Sequence, residues 1–316
     1  MKIWPFRLCL SLCLGCGSAQ SSGALTAPPA APSSDPISGP PAEPVAFEPQ
    51  RSDLGLDDVN GLSGLTVDGS GTLYTVAETD RFVVAIERPT LALTRYALTG
   101  LPDDVDGEAI AWLDGQRFAI GSEANRARTE DAIYLVTLDP TPDAPSVRLE
   151  RELRLPYQAM GVEAEDNRGI EGICAAEGVI FAGLEPVGED EGRRFAVLGR
   201  YDIHGASWRP FRVWLTTDTG KVSGIDCQGE AGGVKVYAIE RHYAVHRIIS
   251  VFVANGANAS DLTPTVERDL AGTLEGDPNL EGLVVEADGY SLIVDNHYGE
   301  RTGPNELITI ATGGAP

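Results

Sequence analysis

Short apolar runs alternate with glycine- or aspartate-bearing turns along most of the chain, and one phrase recurs five times. Its copies are LSGLTVDGSGTLYTVAE from Leu62, GEAIAWLDGQRFAIGSE from Gly107, IEGICAAEGVIFAGLE from Ile170, VSGIDCQGEAGGVKVYAIE from Val222 and LEGLVVEADGYSLIVDN from Leu280. Each contains a polar residue, a small residue, an apolar strand, a turn, a second apolar strand and an acid. Runs this short, bounded by turn residues and without helical periodicity, predict an all-β chain. FVVAIERP and TRYALTG follow the first copy, so that one unit holds four strands. Four-stranded units repeated radially form a β-propeller. The last unit offers only GLVVEA, SLIVD and ELITIA, and PVAFEPQ from Pro44 is the expected fourth strand, closing the ring from the N-terminal side. The pattern predicts five blades, or six if the stretch between Ile133 and Asp166 hides a degenerate one.

The polar positions carry the candidate chemistry. The starter of each phrase is Ser63, Glu108, Glu171, Ser223 or Glu281, spaced 45, 63, 52 and 58 residues apart, and the closing acid is Glu78, Glu123, Glu185, Glu240 or Asp295. In a propeller the first strand of each blade lines the axis and the second runs back. Both polar positions are therefore expected at one channel mouth, as an inner set and a second acidic ring in a solvated tunnel. Crowded carboxylates raise one another's pKa or take a counter-ion. An all-oxygen donor set outside the cytoplasm suits Ca2+, with Glu108, Glu171 and Glu281 as the expected ligands. Only four histidines are present, and no His/Cys spacing resembles a zinc site. The plainer alternative is that each acid accepts backbone N–H groups as a latch between blades.

His242 and His297 follow Glu240 and Asp295 by two residues, where the first two units hold Asp80 and Asn125. Period-two spacing turns these toward the same opening, so Glu171, Asp295 and His297 are the candidate catalytic groups. Arg241 and Arg301 stand nearby, to orient an anionic group or to neutralise glutamates. Ser63 and Ser223 lie outside any Gly-x-Ser-x-Gly elbow and read as ring members. Cys174 and Cys227 fall on the first strands of consecutive units, three and four residues after their starters. In regular strands those offsets point to opposite faces, which argues against a bridge.

Composition narrows the setting. A net charge of −23 excludes a nucleic-acid partner and adhesion to anionic lipid. Lys2, Arg7 and the apolar LCLSLCLGC read as a secretory signal over residues 1–15, too short to span a bilayer. Leu14-Gly15-Cys16 resembles a bacterial lipobox, which implies lipidation at Cys16 and anchoring at the outer rather than the inner membrane; a plain secretory cleavage near Ala19 is the alternative. Residues 16–46 are rich in Pro, Ser and Ala and read as a lipidated, semi-extended tether. Residues 47–316 form the propeller domain, expected to be monomeric.

LSGLTVDGSGTLYTVAE, NRGIEGI and NLEGLVVEADGYSLIVDN resemble bacterial propellers of the phytase-like type, described as having esterase-like activity, and the SdiA-regulated propellers. The resemblance spans Asn60 to Thr312. It implies an envelope propeller with calcium near the channel mouth and, for phytase-like members, hydrolysis of phosphoric or carboxylic esters. It matches Glu108, Glu171 and Glu281 to the acidic starter, and Glu185, Glu240 and Asp295 to the second ring. Serine in the first and fourth units departs from it, and no Lys/Arg cluster suits a polyphosphorylated substrate. Two functions are expected to compete: a non-catalytic, cation-stabilised envelope platform, favoured because no nucleophile stands out, and a metal-dependent ester hydrolase.

Overall fold

The first strand of every repeated phrase packs against the first strand of the next, and the series closes on itself. The computed structural model describes residues 48–312 except 60, 79, 124–130, 142, 164–167, 244, 257–259 and 296–303. The first antiparallel meander is β2 (Leu62–Val67), β3 (Leu73–Ala77), β4 (Phe82–Glu87) and β5 (Ala92–Ala97). The second is β6 (Gly107–Asp114), β7 (Arg117–Ser122), β8 (Ala132–Asp139) and β9 (Ser146–Arg154), joined to the first in one eight-stranded sheet by the parallel pairing of Ala97 in β5 with Ser146 in β9. The third is β10 (Ile170–Ala176), β11 (Val179–Asp190), β12 (Arg193–Asp202) and β13 (Ser207–Trp214), with the two-residue β17 (Asp261–Leu262) added at its edge. The fourth is β14 (Lys221–Glu230), β15 (Gly233–His242), β16 (Val245–Ala254) and β18 (Thr265–Asp269). The last joins β19 (Asn279–Glu286), β20 (Gly289–Asp295) and β21 (Glu306–Ala311) to β1 (Gln50–Asp53). Inner strands meet in the order β2, β6, β10, β14, β19 and back to β2. The architecture is all-β and propeller-like.

Apolar packing follows the same circle. One buried cluster lies between each pair of neighbouring meanders: Tyr74 and Phe118, Ile133 and Ile170, Phe181 and Val236, Ile239 and Leu292, and Val284 and Leu62 sit in the successive clusters. Inner and second strands are therefore covered on both faces, which is why they read as continuous apolar runs rather than as alternating ones. The outermost β5 keeps a mostly exposed, polar pattern. Among the described residues no helix is long and apolar enough to cross a membrane.

The glycine that follows the starter in four of the five units has a steric cause. A Cβ on Gly64 would lie 2.6 Å from the Ile110 nitrogen, and one on Gly282 would lie 2.6 Å from the Gly64 carbonyl carbon. Gly172 and Gly224 face the β14 and β19 backbones in the same way, at 2.7 Å. At these four positions neighbouring inner strands touch backbone to backbone, an approach only glycine permits, while the second unit carries the fully buried Ala109 instead.

Three expectations change. The closing strand is Gln50–Asp53, sharing only Gln50 with PVAFEPQ: Pro49 lacks an N–H for the ladder, and the four residues after it pair with Glu306–Thr309 of β21. Residues 44–47 lie outside the described residues, as do the signal, the tether and Cys16. Within the stretch from Ile133 to Asp166 lie β8 and β9, completing the second meander, and the short helix α1 (Tyr157–Met160). Cys174 and Cys227 form a disulfide between β10 and β14, with Cα atoms 5.6 Å apart. The alternation argument against it fails because the two strands belong to neighbouring meanders, whose facing sides are opposite faces of their own sheets, and both cysteines point into the cluster between them.

Candidate functional site

The starters and closing acids do meet at one end of the inner strands, but the ring they form is unequal. On the side of the first two meanders, ligand oxygens of Asp106, Glu108 and Glu123 all lie within 4.8 Å of one another. Glu108 opens β6, Glu123 follows β7, and Asp106 precedes Glu108 by two residues, so strand alternation aims it at the same space. Glu123 is 4% exposed, and its Oε2 is buried without a hydrogen-bond partner among the described residues. Burial, then Glu171 and Asp106, push the Glu123 carboxyl up to about 9. Burial, then Glu78, Glu123, Glu171 and Asp106, hold Glu108 well above the usual carboxylate range. After burial, the neighbours that raise these two groups most are all acids.

The opposite side is neutralised from within. Lys221 ion-pairs with Glu185 and lies 3.8 Å from Glu171, and Arg241 pairs with Glu281. Arg168 stands 3.9 Å from Glu185. Burial raises Glu171 to about 8; Lys221 opposes that shift, while Glu281 and Glu185 add to it. Glu281 is also raised, by burial first, against the pull of Arg241 and Lys221. For Lys221 and Arg241 burial works against the charge, and the surrounding glutamates overcome it, raising both.

Two closing acids are latched. Glu240 is fully buried and accepts hydrogen bonds from the Thr216 and Thr217 N–H groups at 3.0–3.1 Å and from both threonine hydroxyls at 2.6 and 2.7 Å. Asp295 is 2% exposed and accepts Asn279 Nδ2–H at 2.7 Å. Glu78 is buried, and Gly61 leaves the room its carboxyl occupies. The starter serines reach across to the next meander: Ser63 Oγ donates to the Glu108 carbonyl at 2.7 Å and Ser223 Oγ to the Leu280 carbonyl at 2.8 Å.

The structure thus brings Glu108, Glu123 and Glu78 together, groups Glu171, Glu185 and Glu281 with their own cations, and turns Glu240 and Asp295 into backbone and amide contacts. The acids are largely withdrawn from solvent rather than spread around a wet tunnel, because the glycine contacts draw the inner strands tight. His242 is half-buried at the tip of the β15–β16 hairpin, its ring edge-on to Tyr243 at 4.5 Å. His297, Asn125 and Arg301 lie outside the described residues. Asp106 and Lys221 escape a reading that starts at the starter. Both stand two residues before it, where the other units hold Gly61, Gly169 and Asn279. Extending the phrase by one period of strand alternation finds them.

This fold and acidic mouth define a β-propeller-like protein with a candidate cation site. The family described as "Phytase-like: Esterase-like activity of phytase" matches residues 57–297, and the chain belongs to that family. No curated protein matches. Among solved structures the chain is similar to the PQQ-bound aldose sugar dehydrogenase of Streptomyces coelicolor (14% identity, 85% of this chain and 99% of that one, TM-score 0.48). It is also similar to the apo-form aldose sugar dehydrogenase of Escherichia coli (10%, 84% and 99%, 0.46). A third is the virginiamycin B lyase of Staphylococcus aureus (9%, 84% and 99%, 0.39).

Proposed function

We propose that the protein is a five-bladed, envelope-anchored propeller that binds a divalent cation, calcium outside the cytoplasm, at Asp106, Glu108 and Glu123. In this reading the cation-stabilised mouth serves as a binding platform. The observation that carries it is the Glu123 carboxyl, buried with one oxygen unpartnered among the described residues beside two further carboxylates. A buried polar atom without a partner is costly, and a hard cation taking six to eight oxygens relieves all three groups at once. The blade number rests on one inner strand and one inter-meander core per unit. Anchoring rests on Lys2, Arg7 and Leu14-Gly15-Cys16; Cys16→Ser should move the protein from the membrane to the soluble fraction.

The family description supports a second reading, ester hydrolysis. A bound divalent cation supplies Lewis acidity toward a phosphoryl or acyl oxygen. The chain's own contribution would be Glu171, kept beside Lys221 and able to exchange a proton near neutral pH. Asp295, held by Asn279, would fix the mouth's shape, and His297 would be a further proton carrier.

One experiment separates these readings: thermal unfolding of the intact chain with calcium or EDTA, alongside assays on phosphate, carboxylate and lactone esters. The platform reading expects calcium at a hundred times Kd to raise Tm by about 5 °C or more, Glu123→Gln to abolish the shift, and no turnover. EDTA-sensitive turnover that Glu171→Gln removes would establish the hydrolase instead. Absence of any calcium shift would overturn the cation site.

A further inference from the structure

Resting on that cation site, we infer that Ser63 is a positioning residue for it, holding the Glu108 carboxylate from the neighbouring inner strand. Two of the five starters are serines, and both are buried, at 1% and 0% exposure. Their first contact is alike, a hydroxyl donated to a carbonyl of the next inner strand: that of the starter Glu108 for Ser63, and that of Leu280, one residue before the starter, for Ser223. Their second is not. Ser63 Oγ also lies 3.3 Å from Glu108 Oε2, so its proton is shared between the carbonyl and the carboxylate. Among the described residues Ser223 bonds the Leu280 carbonyl alone.

Chemistry explains a serine at this position. A glutamate there would add a further carboxylate to Glu78, Asp106, Glu108 and Glu123, and it could donate nothing when ionised. A base would neutralise the cluster, as Lys221 and Arg241 do on the opposite side. A hydroxyl supplies a donor without changing the charge and orients the Glu108 carboxylate that lies beside Asp106 and Glu123. Hydrogen bonds from groups just outside a metal's ligands fix ligand orientation, and losing one lowers metal affinity by about 10- to 100-fold.

The test is a terbium luminescence titration of the intact chain, with calcium as competitor and Tm recorded for each variant. Ser63→Ala is expected to weaken Tb3+ affinity about tenfold, and Ser63→Thr, which keeps the hydroxyl, to stay within about threefold of wild type. Ser223→Ala removes the equivalent carbonyl latch and is expected to lower Tm by a similar amount with affinity unchanged. That contrast is one a purely structural role would not produce. If Ser63→Ala does not fold, Ser63→Cys, a weaker donor of similar shape, is judged by the same criterion. Wild-type binding that Glu123→Gln abolishes but Ser63→Ala leaves within twofold would overturn the role of Ser63 and spare the cation site. No saturable Tb3+ binding by the wild type would overturn both.

Discussion

Glu123 and Glu240 occupy the same position of the repeated phrase yet have opposite surroundings. Glu240 accepts two backbone N–H groups and two hydroxyls, whereas Glu123 keeps a buried oxygen without a partner among the described residues. The difference predicts how stability responds to pH. Glu123 is raised from 4.5 to about 9 and Glu171 from 4.5 to about 8. A carboxyl whose folded pKa lies above its unfolded value binds more protons when folded, so its contribution is complete below about 4.5 and is lost as pH rises through the folded pKa. Melting temperature of chelator-treated protein should therefore fall steadily between pH 5 and 9. Calcium should flatten that slope. A metal-free Tm that stays level across this range would show that these carboxyls are not held protonated.

At the scale of the element, the phrase "polar residue, small residue, strand" encodes an inter-strand contact as well as a turn pattern, and in four of the five units the small residue is glycine. Gly282→Ala would place a methyl 2.6 Å from the backbone of Gly64 and Leu65. Backbone cannot step aside as a flexible side chain can, so the substitution should cost about 2 kcal/mol or more, read as a lowered urea midpoint. A variant as stable as the wild type would contradict the close packing of β19 on β2. The strands themselves were legible because covered sheets demand apolar runs. Less legible was anything that depends on pairing between distant segments: β1 starts after Pro49 rather than at Pro44, and Cys174 meets Cys227 because the facing sides of neighbouring meanders are opposite faces of their sheets. The roles of Asp106 and Lys221 were hidden for a related reason. Their phrase position holds glycine or asparagine in the other units, so no shared residue type marks it.

Across the whole molecule, closure is made by several kinds of contact between units: β1 on β21, the serine latches, and the Cys174–Cys227 bridge between two inner strands. The bridge spans 53 residues of sequence, and a cross-link of that length stabilises by roughly 4 kcal/mol in the chain-entropy account. Reductant should lower Tm of the wild type by about 10 °C and leave a Cys174→Ala/Cys227→Ala variant unaffected; equal sensitivity in both would remove the bridge from the account. The ring also explains the electrostatic division of the mouth. The fourth unit supplies Lys221 and Arg241 as built-in cations for Glu171, Glu185 and Glu281, while the first unit supplies a serine and no base at its starter. In the proposed reading an external cation serves one side only.

That asymmetry is tested most directly by anomalous diffraction from crystals of the intact chain grown with Tb3+. The account predicts one strong peak within about 2.5 Å of carboxylate oxygens from Asp106, Glu108 and Glu123. A peak seated instead between Glu171 and Glu281, or no peak at the mouth, would contradict it.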